Sequence, residues 1–435
     1  MGRNEVYHKI LYFFFQDYFY ELPRHERIKF SRVGFLGKLY NILITIYLAV
    51  KEAVQFKSHG SDENSILKGK HWVFVFGKNN YESTKFLRSN EVVFVTDKFR
   101  SFNHSDNIIV LPYARSLKSF LSFFKIFSYL KRVEGNRANE IFDLIFNSLG
   151  WYEALDKVIK KYKPISITFS NDHSVIPRAL LFAAKENNVS TIYIQHATVT
   201  KDFPALEFDL NLLEGMDAVD KYNAKGVQGQ IKLIGMPRFD SFVARRKIST
   251  SKRVSTIGMA FNTLDSVHVI LGLVKKVVAA YPSIQIVIRK HQKDTRDFAS
   301  PFSRYLKNVS FSDALIEDPF DFILKCDLLL AGNSSIHLDA RLLNVQSLFY
   351  DFDRESQILD LYGFLKKGFI RKITTADEMI KELSTSRVTD SIYLEAKYYN
   401  EAVGEQWEGN SSDRAKAEIE YFYSSRVHAN INTSG

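Results

Sequence analysis

From Lys70 onward, short runs of consecutive apolar residues alternate with longer stretches in which apolar residues recur every three or four positions. The short runs read as strands covered on both faces, and the longer stretches as helices packed against them. The first series predicts strands over 71–76, 92–96, 108–111, 165–169 and 191–195, with helices over 81–89, 151–162 and 176–187. Residues 200–232 interrupt it with Phe203-Pro204, Gly215, Gly226 and Gly229, and a short strand over 231–234 follows. Residues 241–253 are polar and strongly basic, the composition of a linker where apolar contacts thin out. A second series predicts strands over 254–260, 284–289, 309–312, 327–331 and 347–350, and helices over 267–281, 320–326 and 336–343. Tandem strand–helix units make parallel sheets, so the class expected is α/β, with two doubly wound halves joined by a linker.

The first seventy residues carry a different pattern. Seven of the ten residues from Leu11 to Tyr20 are Phe or Tyr, and Arg24, Arg27, Lys29 and Arg32 follow, a mixture that resembles an interfacial segment. Residues 34–50 are apolar except for a few positions such as Lys38, and their length is at the short limit for crossing a bilayer. They read as a buried aromatic-rich helix, a helix lying on a membrane surface, or a span. Residues 115–137 predict one amphipathic helix, with Leu117, Phe120, Leu121, Phe124, Phe127 and either Ile126 or Leu130 on one stripe and six basic residues against the single acid Glu134.

Composition narrows the classes. The 435 residues carry a formal charge of +10 together with 36 Phe and 22 Tyr, which points to an anionic partner: nucleic acid, an anionic membrane surface or a phosphorylated substrate. One cysteine, Cys326, excludes an intramolecular disulfide and a thiolate metal cluster. No repeat, low-complexity tract, Walker sequence, GxGxxG fingerprint, HExxH, nucleophile elbow or zinc spacing is present.

In open parallel sheets ligands bind beyond the carboxyl ends of the strands. There the sequence places His196 after the strand at 191–195, and Asn171-Asp172-His173 after the strand at 165–169. In the second half, Arg289-Lys290-His291 ends one strand and Gly332-Asn333-Ser334-Ser335 ends another, cations and hydroxyls of the kind that hold phosphate. Asp351 and Asp353 form a DxD that reads as structural, and no metal site is expected.

Four blocks, YIQHATVTKDFP (193–204), IGMPRFD (234–240), IRKHQKD (288–294) and CDLLLAGNSSIHLDARLLNVQSLFYD (326–351), resemble in order those of the CDP-glycerol glycerophosphotransferase and related surface-polysaccharide glycosyltransferase families. Ala197 stands where that pattern usually has glycine, and Gln292 where it usually has proline. The resemblance covers about residues 160–355 and implies a GT-B fold, two Rossmann-like domains facing a cleft. The domains expected are 1–245, whose residues 1–69 read by composition as a membrane-proximal helical segment, and 246–435, whose last helix crosses back on the analogy of that fold. It implies His196 as catalytic base. It implies a donor site of His291, Ser334 and Ser335, with Arg289, Lys290, Asn333, Asn262 and Thr263 secondary, and Arg238 in the cleft, while position at a strand end adds Asp172 and His173 on the acceptor side.

The function expected is metal-independent transfer of a sugar from a nucleotide-activated donor to a capsule, O-antigen or lipid-linked glycan, with no cofactor, at the inner face of the cell membrane. The alternatives are polyol-phosphate transfer from a CDP-linked donor, transfer of an acidic sugar from a CMP donor, epimerisation of a nucleotide sugar, and a non-catalytic membrane- or nucleic-acid-binding protein. Nucleic acid is the less expected partner, because no RNP or zinc-finger motif is present.

Overall fold

Two parallel sheets carry the architecture. The computed structural model describes residues 1–21, 27, 30–32, 34–58, 65–98, 108–171, 173–248, 253–263, 265–352, 360–385 and 391–433. Strands β1 (His71–Phe74), β2 (Val92–Thr96), β3 (Ile109–Val110), β4 (Ser166–Phe169), β5 (Ser190–Ile194), β6 (Leu210–Leu213) and β7 (Gln230–Leu233) form the first sheet, in the order β3-β2-β1-β4-β5-β6-β7. Strands β8 (Thr256–Phe261), β9 (Gln285–Lys290), β10 (Val309–Ser312), β11 (Leu328–Ala331), β12 (Gln346–Tyr350) and β13 (Arg371–Ile373) form the second, in the order β10-β9-β8-β11-β12-β13. Every ladder is parallel, with Trp72 opposite Ile167 in one sheet and Met259 opposite Leu330 in the other. The α/β class and both doubly wound halves are therefore present.

Burial explains the strand composition. Every residue of β4, β6 and β11 is buried, as expected of strands covered on both faces. The helix Trp151–Tyr162 shows the complementary pattern, burying Ala154, Leu155, Val158 and Ile159 at three- and four-residue steps. It lies against the helix Val175–Glu186 on the first sheet.

Three sequence expectations change. The aromatic run at 11–20 is core, not interface: Leu11, Phe14, Phe15 and Phe19 are buried with Trp72, Phe169 and Phe182 in the first domain. The segment 115–137 is a 3-10 helix Leu117–Ser122 followed by the α-helix Phe123–Glu134, and the change of pitch splits the stripe. Ile126 and Leu130 turn inward while Leu117, Leu121 and Phe124 face outward. Strands β6 and β13, absent from the sequence reading, complete the two sheets. In β6 the buried Asn211 hides the strand pattern, because its amide donates to the carbonyls of Phe208, Gln228 and Gln230 instead of packing.

The block 234–240 forms the joint between the sheets. Gly235 has φ +74°, and a Cβ there would lie 2.6 Å from Ser411 Oγ and 2.7 Å from Ala402 Cβ. The 3-10 helix Pro237–Arg245 follows, and Asp240 caps the helix Ser411–Thr433 by accepting from the amides of Ser411 (2.9 Å) and Ser412 (2.8 Å). That helix lies on the first sheet, where Ala415, Ile419 and Phe422 meet Ile192, Ile194, Leu210 and Leu212.

Candidate functional site

The site is built where three neighbouring strands of the second sheet end. The chain leaves β8 through Asn262 and Thr263, β9 through His291, and β11 through Gly332-Asn333-Ser334-Ser335. Because β8 pairs with β9 on one side (Phe261 opposite Lys290) and β11 on the other (Ala260 opposite Ala331), these exits are adjacent. The gap between β8 and β11 is where the strand order reverses, the position at which doubly wound sheets open a crevice for ligand.

Polar contacts hold these exits in place. Asp265, 2 % exposed, accepts from the Asn262 amide at 2.8 Å. It lies so close to Gly332 that a Cβ at 332 would be 3.1 Å from its Oδ1. Arg296 donates to the carbonyl oxygens of Asn262 (2.9 Å) and Asp265, with its charge met by Asp294. Asn333 Oδ1 accepts from the Leu361 amide at 3.1 Å, and Ser335 lies beside the Tyr362 hydroxyl.

His337 is buried beneath the same loop. Its Nε2 meets the Gly332 carbonyl at 3.0 Å and its Nδ1 meets Ser347 Oγ at 2.6 Å. Burial pushes its pKa down to about 4, so the ring is neutral at pH 7. A carbonyl only accepts, so the proton sits on Nε2 and Ser347 donates to Nδ1. A neutral imidazole thereby fixes Gly332 to β12.

The facing elements belong to the first sheet. His196, half-buried, follows β5, and the preceding Gln195 ties its loop to the end of β6. The Gln195 amide accepts from the Glu214 backbone at 2.9 Å and donates to Ala197 O at 3.0 Å. Glu214 is buried and its pKa is pushed up to about 8 by burial, so it is largely protonated at pH 7. Below it, Arg238 donates to Asp339 Oδ1 at 2.9 Å and stacks on Phe320. Lys221 joins the two sides: its ammonium reaches Val199 O (2.9 Å), Asp217 Oδ2 (2.7 Å) and, in the second domain, Tyr362 O (2.9 Å). The loop after His196 is thus connected through Lys221 and Tyr362 to Ser335.

The remaining candidates fall elsewhere. Arg289 is turned toward β10 and its neighbouring loop, donating to Ser312 Oγ (2.7 Å) and Glu317 O (2.8 Å). Lys290 donates to Arg296 O at 3.0 Å. His173 stacks on Phe203 with ring centroids 4.5 Å apart, while Asn171 accepts from the backbone of Ser174 at the start of the next helix. Asp172 and Asp353 lie outside the described residues. Sequence reasoning missed Asp265, Arg296, Glu214, Lys221 and His337. Asp265 and Arg296 stand within a few residues of the strand exits that were recognised, which was the available signal.

No protein-family model matches the chain, and no curated relative matches it. Solved structures do match in fold. UDP-N-acetylglucosamine 2-epimerase from Rickettsia bellii is 12% identical, with a TM-score of 0.52 over 83% of this chain and 98% of that one. The S. aureus MnaA–UDP co-structure is 14% identical, with a TM-score of 0.51 over 82% of this chain and 97% of that one. CalG4, the calicheamicin glycosyltransferase, is 10% identical, with a TM-score of 0.50 over 83% of this chain and 99% of that one. At such identity the likeness establishes the fold: this chain has a GT-B-like arrangement of two α/β domains.

Proposed function

We propose that the protein is a nucleotide-sugar enzyme, a transferase that moves a sugar from a nucleotide-activated donor to a glycan acceptor. The observation that carries this reading is the gathering of Asn262, Thr263, His291, Asn333, Ser334 and Ser335 at adjacent strand exits around the point where the second sheet reverses its order. One of the structures that share the fold, that of S. aureus MnaA, is a co-structure with UDP, which fits a nucleotide donor in that crevice.

Hydroxyls, amides and one imidazole suit a phosphate leaving group, whose charge grows as the glycosidic bond breaks. His196, from the other sheet, takes the part of the base that removes the acceptor proton. Transfer of a polyol phosphate from a CDP-linked donor uses the same parts and is the nearest alternative within this reading.

The test is product analysis with UDP-, CDP- and CMP-linked donors. The transferase reading expects free nucleotide to appear only when an acceptor glycan is present, with a His196→Ala variant at least about a hundredfold slower. Interconversion of the sugar epimers without acceptor would make the protein an epimerase instead.

A further inference from the structure

We infer that the helix Gly34–Ser58 is an in-plane membrane anchor, which docks the first domain on the surface of an anionic phospholipid bilayer without crossing it. The inference stands apart from the reaction proposed above, since vesicle binding needs no nucleotide.

The helix is turned inside out. Its inward stripe is polar or small: Asn41 donates to Asp143 Oδ2 at 2.8 Å, Lys38 reaches the Glu140 carbonyl, Thr45 and Ala49 are buried, and Glu52 pairs with Arg115 at 2.9 Å. Its outward face is apolar, with Phe35 72 %, Leu36 78 %, Tyr47 64 % and Val54 63 % exposed. An amphipathic helix on a water-soluble domain places these faces the other way round. Over Gly34–Val54 the helix is long and apolar enough to span a bilayer by length and composition, and 11% of its most apolar window is buried.

The chain on either side of the helix forbids a span. Before it, Tyr7, Ile10, Phe14 and Phe19 are packed in the first domain's core; after it, Leu67 and Trp72 enter the same core. A transbilayer path would leave these two flanks on opposite faces of the membrane and tear that core apart. It would also leave Asp143 and Arg115 without their partners on the helix.

Charge selects the occupant. The 3-10 helix Leu117–Ser122 lies beside the anchor, and with the helix that follows it exposes Leu121 and Phe124 among Lys118, Lys125, Lys131 and Arg132. An apolar face that large marks an interaction site, and a basic border beside it complements anionic headgroups. A second copy of this chain would bring a like-charged border into contact with it, which opposes self-association.

The experiment is flotation of the full chain with vesicles of phosphatidylcholine alone or of phosphatidylcholine mixed with phosphatidylglycerol. The expected result is flotation with the mixed vesicles that weakens with salt, and that falls about tenfold or more in Leu43→Glu/Tyr47→Glu at unchanged Tm. Glu21→Cys and Ser65→Cys variants then report topology, because the native Cys326 is buried. Both are expected to react with an impermeant maleimide added outside the vesicles. Protection of one of them would establish a span and overturn the in-plane anchor. Failure of the wild type to float, or flotation equal in the double variant, would also overturn the in-plane anchor. A dimer in lipid-free solution that the double variant converts to monomer would show that the face is covered by a second copy instead.

Discussion

Lys221, on the helix Met216–Asn223 after β6, donates to the carbonyl oxygen of Tyr362 in the second domain at 2.9 Å. The same ammonium holds Asp217 and the Val199 carbonyl, so one cation fixes the loop after His196 against the segment that contacts Ser335. Lys221→Met leaves the buried Asp217 carboxylate without its partner, at a cost of about 3–5 kcal/mol. A Tm lowered by several degrees is expected, with much of the loss recovered in the Lys221→Met/Asp217→Asn double variant. Equal Tm values for wild type and Lys221→Met would show that this bridge does not hold the domains.

Glu214 sets the alkaline side of the stability profile. Burial raises its pKa to about 8 in the folded protein from 4.5 when exposed. Between these values the unfolded chain has lost a proton that the folded one retains. The stability Glu214 contributes is therefore complete below pH 4.5 and is lost as the pH rises through 8. Glu214→Gln keeps an amide in place of the acid, and denaturation followed from pH 4 to 9 is expected to show wild type losing stability relative to it across that window. Parallel curves would refute the buried neutral acid.

His337 acts on the acid side with the opposite sign. Its folded pKa near 4 lies below the 6.5 of an exposed ring, so between them the unfolded chain binds the extra proton. Stability is present above pH 6.5 and is lost as the pH falls through 4. Denaturant unfolding of wild type and His337→Asn over that range should diverge in this direction. NMR titration of the ring with a midpoint at or above 6.5 would contradict its burial as a neutral strut.

Gly235 is required by backbone conformation and by space. Gly235→Ala puts a Cβ at φ +74°, 2.6 Å from Ser411 Oγ and 2.9 Å from Asn400 Oδ1. Strain and overpacking together cost about 3 kcal/mol or more. Calorimetry is expected to show a lowered Tm, and a protease is expected to cut first near the helix Ser411–Thr433 that Gly235 accommodates. A fully stable variant would mean that the joint relaxes freely.

The strands were legible in both halves: β1 to β5 and β7 in the first, and β8 to β12 in the second, fall within two residues of their expected ends. β6 escaped because its central buried residue is Asn211, and β13 because three residues, Arg371–Ile373, carry too little pattern. The strand exits pointed to Asn262, His291 and Ser334, since position at a carboxyl end is a local property. Asp265, Arg296 and His337 could not be assigned roles that way, because their roles are contacts to backbone groups of the exits, the Asn262 N–H for Asp265 and the carbonyls of Asn262 and Gly332 for Arg296 and His337, which depend on how the loops fold. The block 234–240 was the most specific motif, and the structure explains it as the joint between domains rather than as reacting groups. The sense of the helix Gly34–Ser58 was unreadable from apolar content alone, which does not say which face meets the protein.

The most direct test of the central claim is calorimetric titration with CDP, CMP, UDP, GDP and ADP of wild type beside His291→Ala and Ser334→Ala. The result expected is binding of one nucleotide in preference to the others, weakened about tenfold or more in both variants while their Tm without ligand stays that of wild type. No heat from any nucleotide at millimolar concentration, or the same affinity in all three proteins, would contradict a donor site at the strand exits of the second sheet.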